Sequence, residues 1–104
     1  MISNNKSILN YYITLAVNGS ANDIDIIMKD INREMTIENS KFIDFALGHV
    51  ETDEGIDRIS HYLFNGTQIQ RNYCTLYFNR RNDWDIVSKA YKMGLIDVIQ
   101  AYSR

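Results

Sequence analysis

The side chains best able to do chemistry in this chain are carboxylates. Asp23 and Asp25 recur as Asp83 and Asp85, and Asp53, Glu54 and Asp57 lie midway between them. Two carboxylates at a suitable separation serve as general acid and general base. Recurrence points elsewhere, because helix N-termini attract acids on electrostatic grounds alone. The acids are therefore expected to serve helix starts and a surface, not catalysis. Other chemistry is sparse. There is no glycine-rich phosphate loop, no Cys/His cluster at metal spacing and no His-Glu-x-x-His helix. His49 falls in a turn and His61 on a helix beside Tyr62, neither with ligand partners close by. Cys74, between Tyr73 and Thr75, reads as inert packing without an activating base. No catalytic residue, metal or cofactor is expected.

The elements that position these residues repeat. Tyr12-Ile13-Thr14-Leu15-Ala16-Val17-Asn18 is echoed by Tyr73-Cys74-Thr75-Leu76-Tyr77-Phe78-Asn79, and more loosely by Phe42-Ile43-Asp44-Phe45-Ala46-Leu47-Gly48. Asn22-Asp23-Ile24-Asp25-Ile26 is echoed by Asn82-Asp83-Trp84-Asp85-Ile86, and more loosely by Thr52-Asp53-Glu54-Gly55-Ile56. The common period is about 30 residues, the size of a helical hairpin. Apolar residues recur three and four apart at Ile24, Ile27 and Ile31, at Ile56, Ile59 and Leu63, and at Trp84, Val87 and Tyr91. That spacing makes one helical stripe each time. Helices are expected to start after Ser20 or Asn22, after Thr52 or Asp53, and after Asn82 or Asp83, whose short oxygen-bearing side chains cap first-turn amides. Asn18-Gly19, Gly48-His49 and Asn79-Arg80 are expected in the turns, and Gly66 and Gly94 at helix stops.

These readings predict an all-α chain. It is a single domain, 1–104, of three hairpins at about 7–35, 38–66 and 67–94. A cap at 95–104 follows, amphipathic through Leu95, Ile96, Ile99 and Tyr102. One hairpin cannot bury its apolar face alone, and about three stacked units make a continuous core. Tyr12, Phe42, Phe45, Tyr73 and Tyr77 follow core spacing. Trp84 aligns with Ile24 and is expected in the core, with exposure the minority case.

Phe45-Ala46-Leu47-Gly48-His49-Val50 followed by Thr52-Asp53-Glu54-Gly55-Ile56-Asp57-Arg58-Ile59 resembles the phycobilisome-lyase type of HEAT-like repeat. The resemblance covers residues 42–63 and extends to the flanking units mainly through their spacing. The family's frequent Pro at the start of the second helix is absent; Asp53 stands there, and Asp also suits a first turn. The resemblance implies a short α-solenoid with a shallow concave face. It does not imply lyase activity, since fold alone does not decide function.

Size and charge narrow the rest. With 104 residues, 45% hydrophobic and 23% charged, the chain can bury a core and is neither disordered nor a disulfide scaffold. One cysteine suits a reducing compartment. The polar start, Met1 to Lys6, shows no secretory signal, and no apolar run is long enough for a membrane span. A cytoplasmic location is the expectation. The net charge of −2 is uneven: residues 36–66 carry −4 and residues 67–104 carry +3. The basic set is Arg71, Arg80, Arg81, Lys89, Lys92 and Arg104. A nucleic-acid surface normally forms a basic stripe along most of a domain, so nucleic acid ranks below protein as a partner.

The functional expectation is a non-catalytic protein-binding module. Its most concrete form is an immunity protein that blocks a bacterial toxin, with a nuclease as the candidate toxin, as in contact-dependent growth inhibition. The partner would be a basic toxin domain, met by the concave acidic and aromatic face. The contact residues would be Asp53, Glu54, Asp57, Arg58, His61, Asp83, Trp84 and Asp85. A HEAT-like regulatory or assembly adaptor is the alternative.

Overall fold

The computed structural model describes residues 2–104, with side chains described from Lys6 onward. The sequence signals at Met1 to Asn5 lie outside the described side chains. Seven helices and no strand occur among the described residues. They are α1 (Ile2–Asn18), α2 (Ala21–Lys29), α3 (Ile37–Leu47), α4 (Asp53–Asn65), α5 (Gln68–Arg80), α6 (Trp84–Lys92) and α7 (Val98–Ala101). No helix of the described residues is long and apolar enough to cross a membrane.

The helix starts carry the regularity seen in the sequence. Ser20 caps α2 in a reciprocal capping box with Asp23. Thr36 caps α3, Thr67 caps α5 in a box with Gln70, and Asp97 caps α7 in a box with Gln100. Thr52, just ahead of α4, accepts from the Gly55 N–H at 3.0 Å. Each cap satisfies first-turn amides that would otherwise lack a partner. Asp83 departs from the expectation. It precedes α6 at φ −88°, ψ 63°, outside the extended region, and makes no side-chain cap bond. Its carboxylate faces Arg81 instead, at 3.4 Å. The cause is the turn before it, where Asn82 takes φ 62°. The turn is therefore Arg81-Asn82, not Asn79-Arg80, and Asn79 lies inside α5 and is buried.

The chain divides into two compact units, Met1–Arg58 and Ile59–Arg104, with the division inside α4. In unit 1, α1 packs on α2 and α3. Its buried side chains include Tyr12, Ala16, Ile24, Ile27, Met28, Ile31, Ile43, Leu47 and Val50. In unit 2, α5 packs on α6 and α7, and α6 on α7. Ile59, Leu63, Cys74, Tyr77, Phe78, Val87, Ala90 and Ile96 are buried there.

Several apolar residues expected inside lie outside. Phe45 is 59% exposed, because α3 buries Ile43, Ala46 and Leu47 and its ring instead meets His49 edge-on. Trp84 and Tyr91 are 56% and 46% exposed. Helix α6 buries Val87 and Ala90, so the stripe centre passes between Trp84 and Tyr91 on one side and Ile86 on the other. In the tail Ile96 is buried, but Ile99 and Tyr102 are exposed. Helix α7 is only four residues long and has no second turn with which to bury them.

Candidate functional site

Two regions carry the residues of interest, one in each unit. In unit 1 the site is built on α2 and α4. Thr52 Oγ1 donates to the Gly19 carbonyl at 2.7 Å. Glu54 Oε2 accepts from the Ala21 N–H at 2.6 Å. Arg58 grips Asp25 with two bonds, Nε to Oδ1 at 2.7 Å and Nη2 to Oδ2 at 3.2 Å. All three links join residues 33 apart. A constant separation means the two helices run in the same direction in register, each advancing by the same rise per residue.

The close approach at the head of this ladder depends on two glycines. Gly19 has φ +65°, and a Cβ there would lie 2.3 Å from Thr52 Oγ1. A Cβ on Gly55 would lie 2.6 Å from Val50 and 2.9 Å from the Gly19 carbonyl oxygen. No side chain fits either place without displacing the α2–α4 contact.

The ladder sorts the acidic residues. Glu54 and Arg58 are engaged within the unit, so they hold the fold rather than await a partner. Asp53 and Asp57 are exposed on α4. Asp23 belongs to the Ser20 capping box and also accepts from Asn18. The Asn18 and Ser20 hydrogen bonds hold its carboxyl below the usual range, because they favour the charged form. Behind it, Tyr12 donates to Asp30 at 2.7 Å. Burial, followed by the Asp30 carboxylate, pushes the Tyr12 phenol well above its ordinary value, so it remains a donor at any physiological pH.

In unit 2, helices α5, α6 and α7 border an open cleft of about 530 Å³. Trp84, Val87, Ser88 and Tyr91 of α6 line one wall, and Val98, Ala101, Tyr102 and Arg104 the other. Asn79 sits between them. It is 2% exposed and donates to the carbonyls of Ala101 at 3.0 Å and Ser103 at 2.6 Å. One buried amide thus fixes α7 and the residues after it. Gln100 adds a second tie through Asn72. The Arg104 guanidinium lies 5.8 Å from the centroid of the Trp84 ring, within cation–π range.

The other residues singled out from sequence fall as follows. His61 is exposed on α4 in unit 2, its ring edge-on to Tyr62. Asp83 and Asp85 are exposed on either side of Trp84. Of the basic set, Arg81 stacks on Tyr77, Lys89 on Phe64 and Arg104 on Trp84. These cations lie over rings on different elements. Cys74 is fully buried, and desolvation pushes its thiol far above the usual range, which keeps it protonated and unreactive. Among the described residues no group of three His, Cys, Asp or Glu converges as metal ligands.

Sequence reasoning missed the cleft. Tyr91 read as core, and Tyr102 as the packed face of a cap. Asn79 read as a turn residue, although a buried amide inside a helix was the feature that anchors the far wall. Comparison with family models, with curated proteins and with solved structures gives no match to this chain.

Proposed function

We propose that this chain is a non-catalytic protein-binding module, a short solenoid of HEAT-like hairpins. We further propose that it inhibits a basic protein, in the manner of an immunity protein set against a toxin domain. The observation that carries the reading is the sorting of acids in unit 1. That unit holds ten acidic and five basic residues. Its internal ladder engages Glu54 with a backbone amide and Arg58 with Asp25, while Asp53 and Asp57 remain exposed on α4. An acidic face steers a basic partner into encounter and repels wrong ones. Inhibition then needs only that a cleft be covered.

The test is capture from the source cell with the purified chain as bait, followed by binding kinetics on whatever is retained. The expected result is one tightly held protein with a basic catalytic domain. Its association rate should fall steeply with salt. A D53N/D57N double variant should slow association about tenfold or more, with circular dichroism unchanged. Retention of no basic partner, or an association rate indifferent to salt and to both aspartates, would overturn the reading.

A further inference from the structure

The cleft of unit 2 has a shape and a charge that together specify an occupant. The helix starts fall into two phases. Thr36, Thr67 and Asp97, 31 and 30 residues apart, precede the first helices of hairpins. Ser20, Thr52 and Asp83, 32 and 31 apart, precede second helices. By phase, α7 is the first helix of a further hairpin. In unit 1 the first half of a second helix, α2, is bonded to the start of the next second helix, α4, through Gly19, Ala21 and Asp25. The corresponding cover for α6 would run along Trp84, Ser88 and Tyr91. These recur four and three residues apart and share one face. That face is the wall of the cleft.

The lining is what a helix would need. Trp84, Tyr91, Val98 and Tyr102 are between 46% and 82% exposed, although they are large and apolar. Exposed Trp and Tyr beside an Arg are the side chains from which binding hot spots are built. Arg104 is the one charged residue in the lining. Unit 2 as a whole holds six basic and three acidic residues, and two of those acids are occupied, Asp83 with Arg81 and Asp97 in its capping box.

We propose that this cleft is a docking groove for an acidic amphipathic helix of a partner protein. Its apolar side seats on Trp84, Tyr91 and Tyr102, and a carboxylate pairs with Arg104. Arg104 already lies over Trp84, so the ion pair forms at the edge of the apolar contact, where water is partly excluded. A basic helix with the same apolar pattern meets like charge and is rejected. The groove is independent of the acidic face of unit 1, since the two call for partners of opposite charge.

Trp84 is the only tryptophan, so its emission reports on the cleft alone. The probe is a synthetic helical peptide of about 14 residues, with Leu at i, i+3, i+4 and i+7 and Glu at the outer positions. The controls are the same peptide with Lys for Glu, and a scramble of the Glu peptide that has no apolar face. The Glu peptide is expected to give a saturable blue shift of Trp84, with affinity about tenfold or more above the Lys peptide. R104A should weaken the Glu peptide about tenfold, removing the distinction between the two peptides, and Y91A should weaken both. Circular dichroism on each variant separates lost binding from lost folding. No saturable shift with the Glu peptide would overturn the proposal. So would equal shifts from all three peptides, or a blue shift on concentrating the protein alone, which would make a second copy the occupant.

Discussion

Units 1 and 2 are both helical, yet the helices within each are tied by different chemistry. Unit 1 crosslinks its helices with charge: Arg58 on Asp25, Glu54 on the Ala21 amide, and Tyr12 on Asp30. Unit 2 uses neutral amides: Asn79 on two carbonyls, and Gln100 on Asn72. Charged ties need solvent access to be cheap, and the Asp25–Arg58 pair is about one-third exposed on both sides. A neutral amide can be buried outright if every polar atom is matched, as the Asn79 donors are. Unit 1 exposes Asp53 and Asp57 on α4, and unit 2 exposes Trp84, Tyr91 and Tyr102 around its cleft.

The largest expected break in this contrast comes from glycine. Gly19→Ala meets both a left-handed φ and Thr52 Oγ1, so it should cost about 3 kcal/mol. Gly94 has φ +75° but open space around it, and Gly94→Ala should cost only about 1 kcal/mol. Urea unfolding of the two variants measures the difference. Equal losses would mean that the α2–α4 approach is not tight. Next is Asn79→Ala. It leaves two carbonyls without their donor and should cost about 2 kcal/mol. Hydrogen exchange should quicken at residues 98–101 while α2 keeps its protection. Smaller still is Arg58→Ala, at about 1 kcal/mol, because the pair is partly screened. Its loss should shrink in high salt, whereas the Asn79→Ala loss should not.

The smallest effect is on acid stability. The Asp23 carboxyl is held below its unfolded value by Asn18 and Ser20. Its contribution is therefore complete above the unfolded pKa, about 3.9. It is lost as pH falls through the lower folded value. Asp23→Asn should flatten this part of the stability curve in acid titration and leave hydrogen exchange in α6 and α7 unchanged.

Much of the fold was legible because it is local. Caps, breakers and apolar spacing act over three to five residues, so Ser20, Thr52 and Gly94 announce helix ends without reference to the rest of the chain. The period near 30 was legible for the same reason, as a repetition of such local signals. The buried stripe of Ile24, Ile27 and Ile31 followed directly. The candidate sites were less legible. Glu54 and Asp57 are both acids in the first two turns of one helix, and nothing in their spacing says that one meets the Ala21 amide while the other faces solvent. Trp84 and Ile24 align in sequence, yet Ile24 is fully buried and Trp84 is over half exposed.

By itself, the sequence determined that this chain is helical, where α2, α4 and α6 begin, and that its charge is acidic in the middle and basic toward the end. These follow from backbone capping, side-chain periodicity and composition, all of which act within a few residues or need no geometry. Tertiary structure alone decided which acids are engaged, that Asn79 anchors the residues around α7, and that Trp84, Tyr91 and Tyr102 line an open cleft. Exposure depends on whether another element lies against a face, and that is a property of neighbours distant in the chain. A helical stripe states which residues could be buried together; only the packing of α5, α6 and α7 states which of them are.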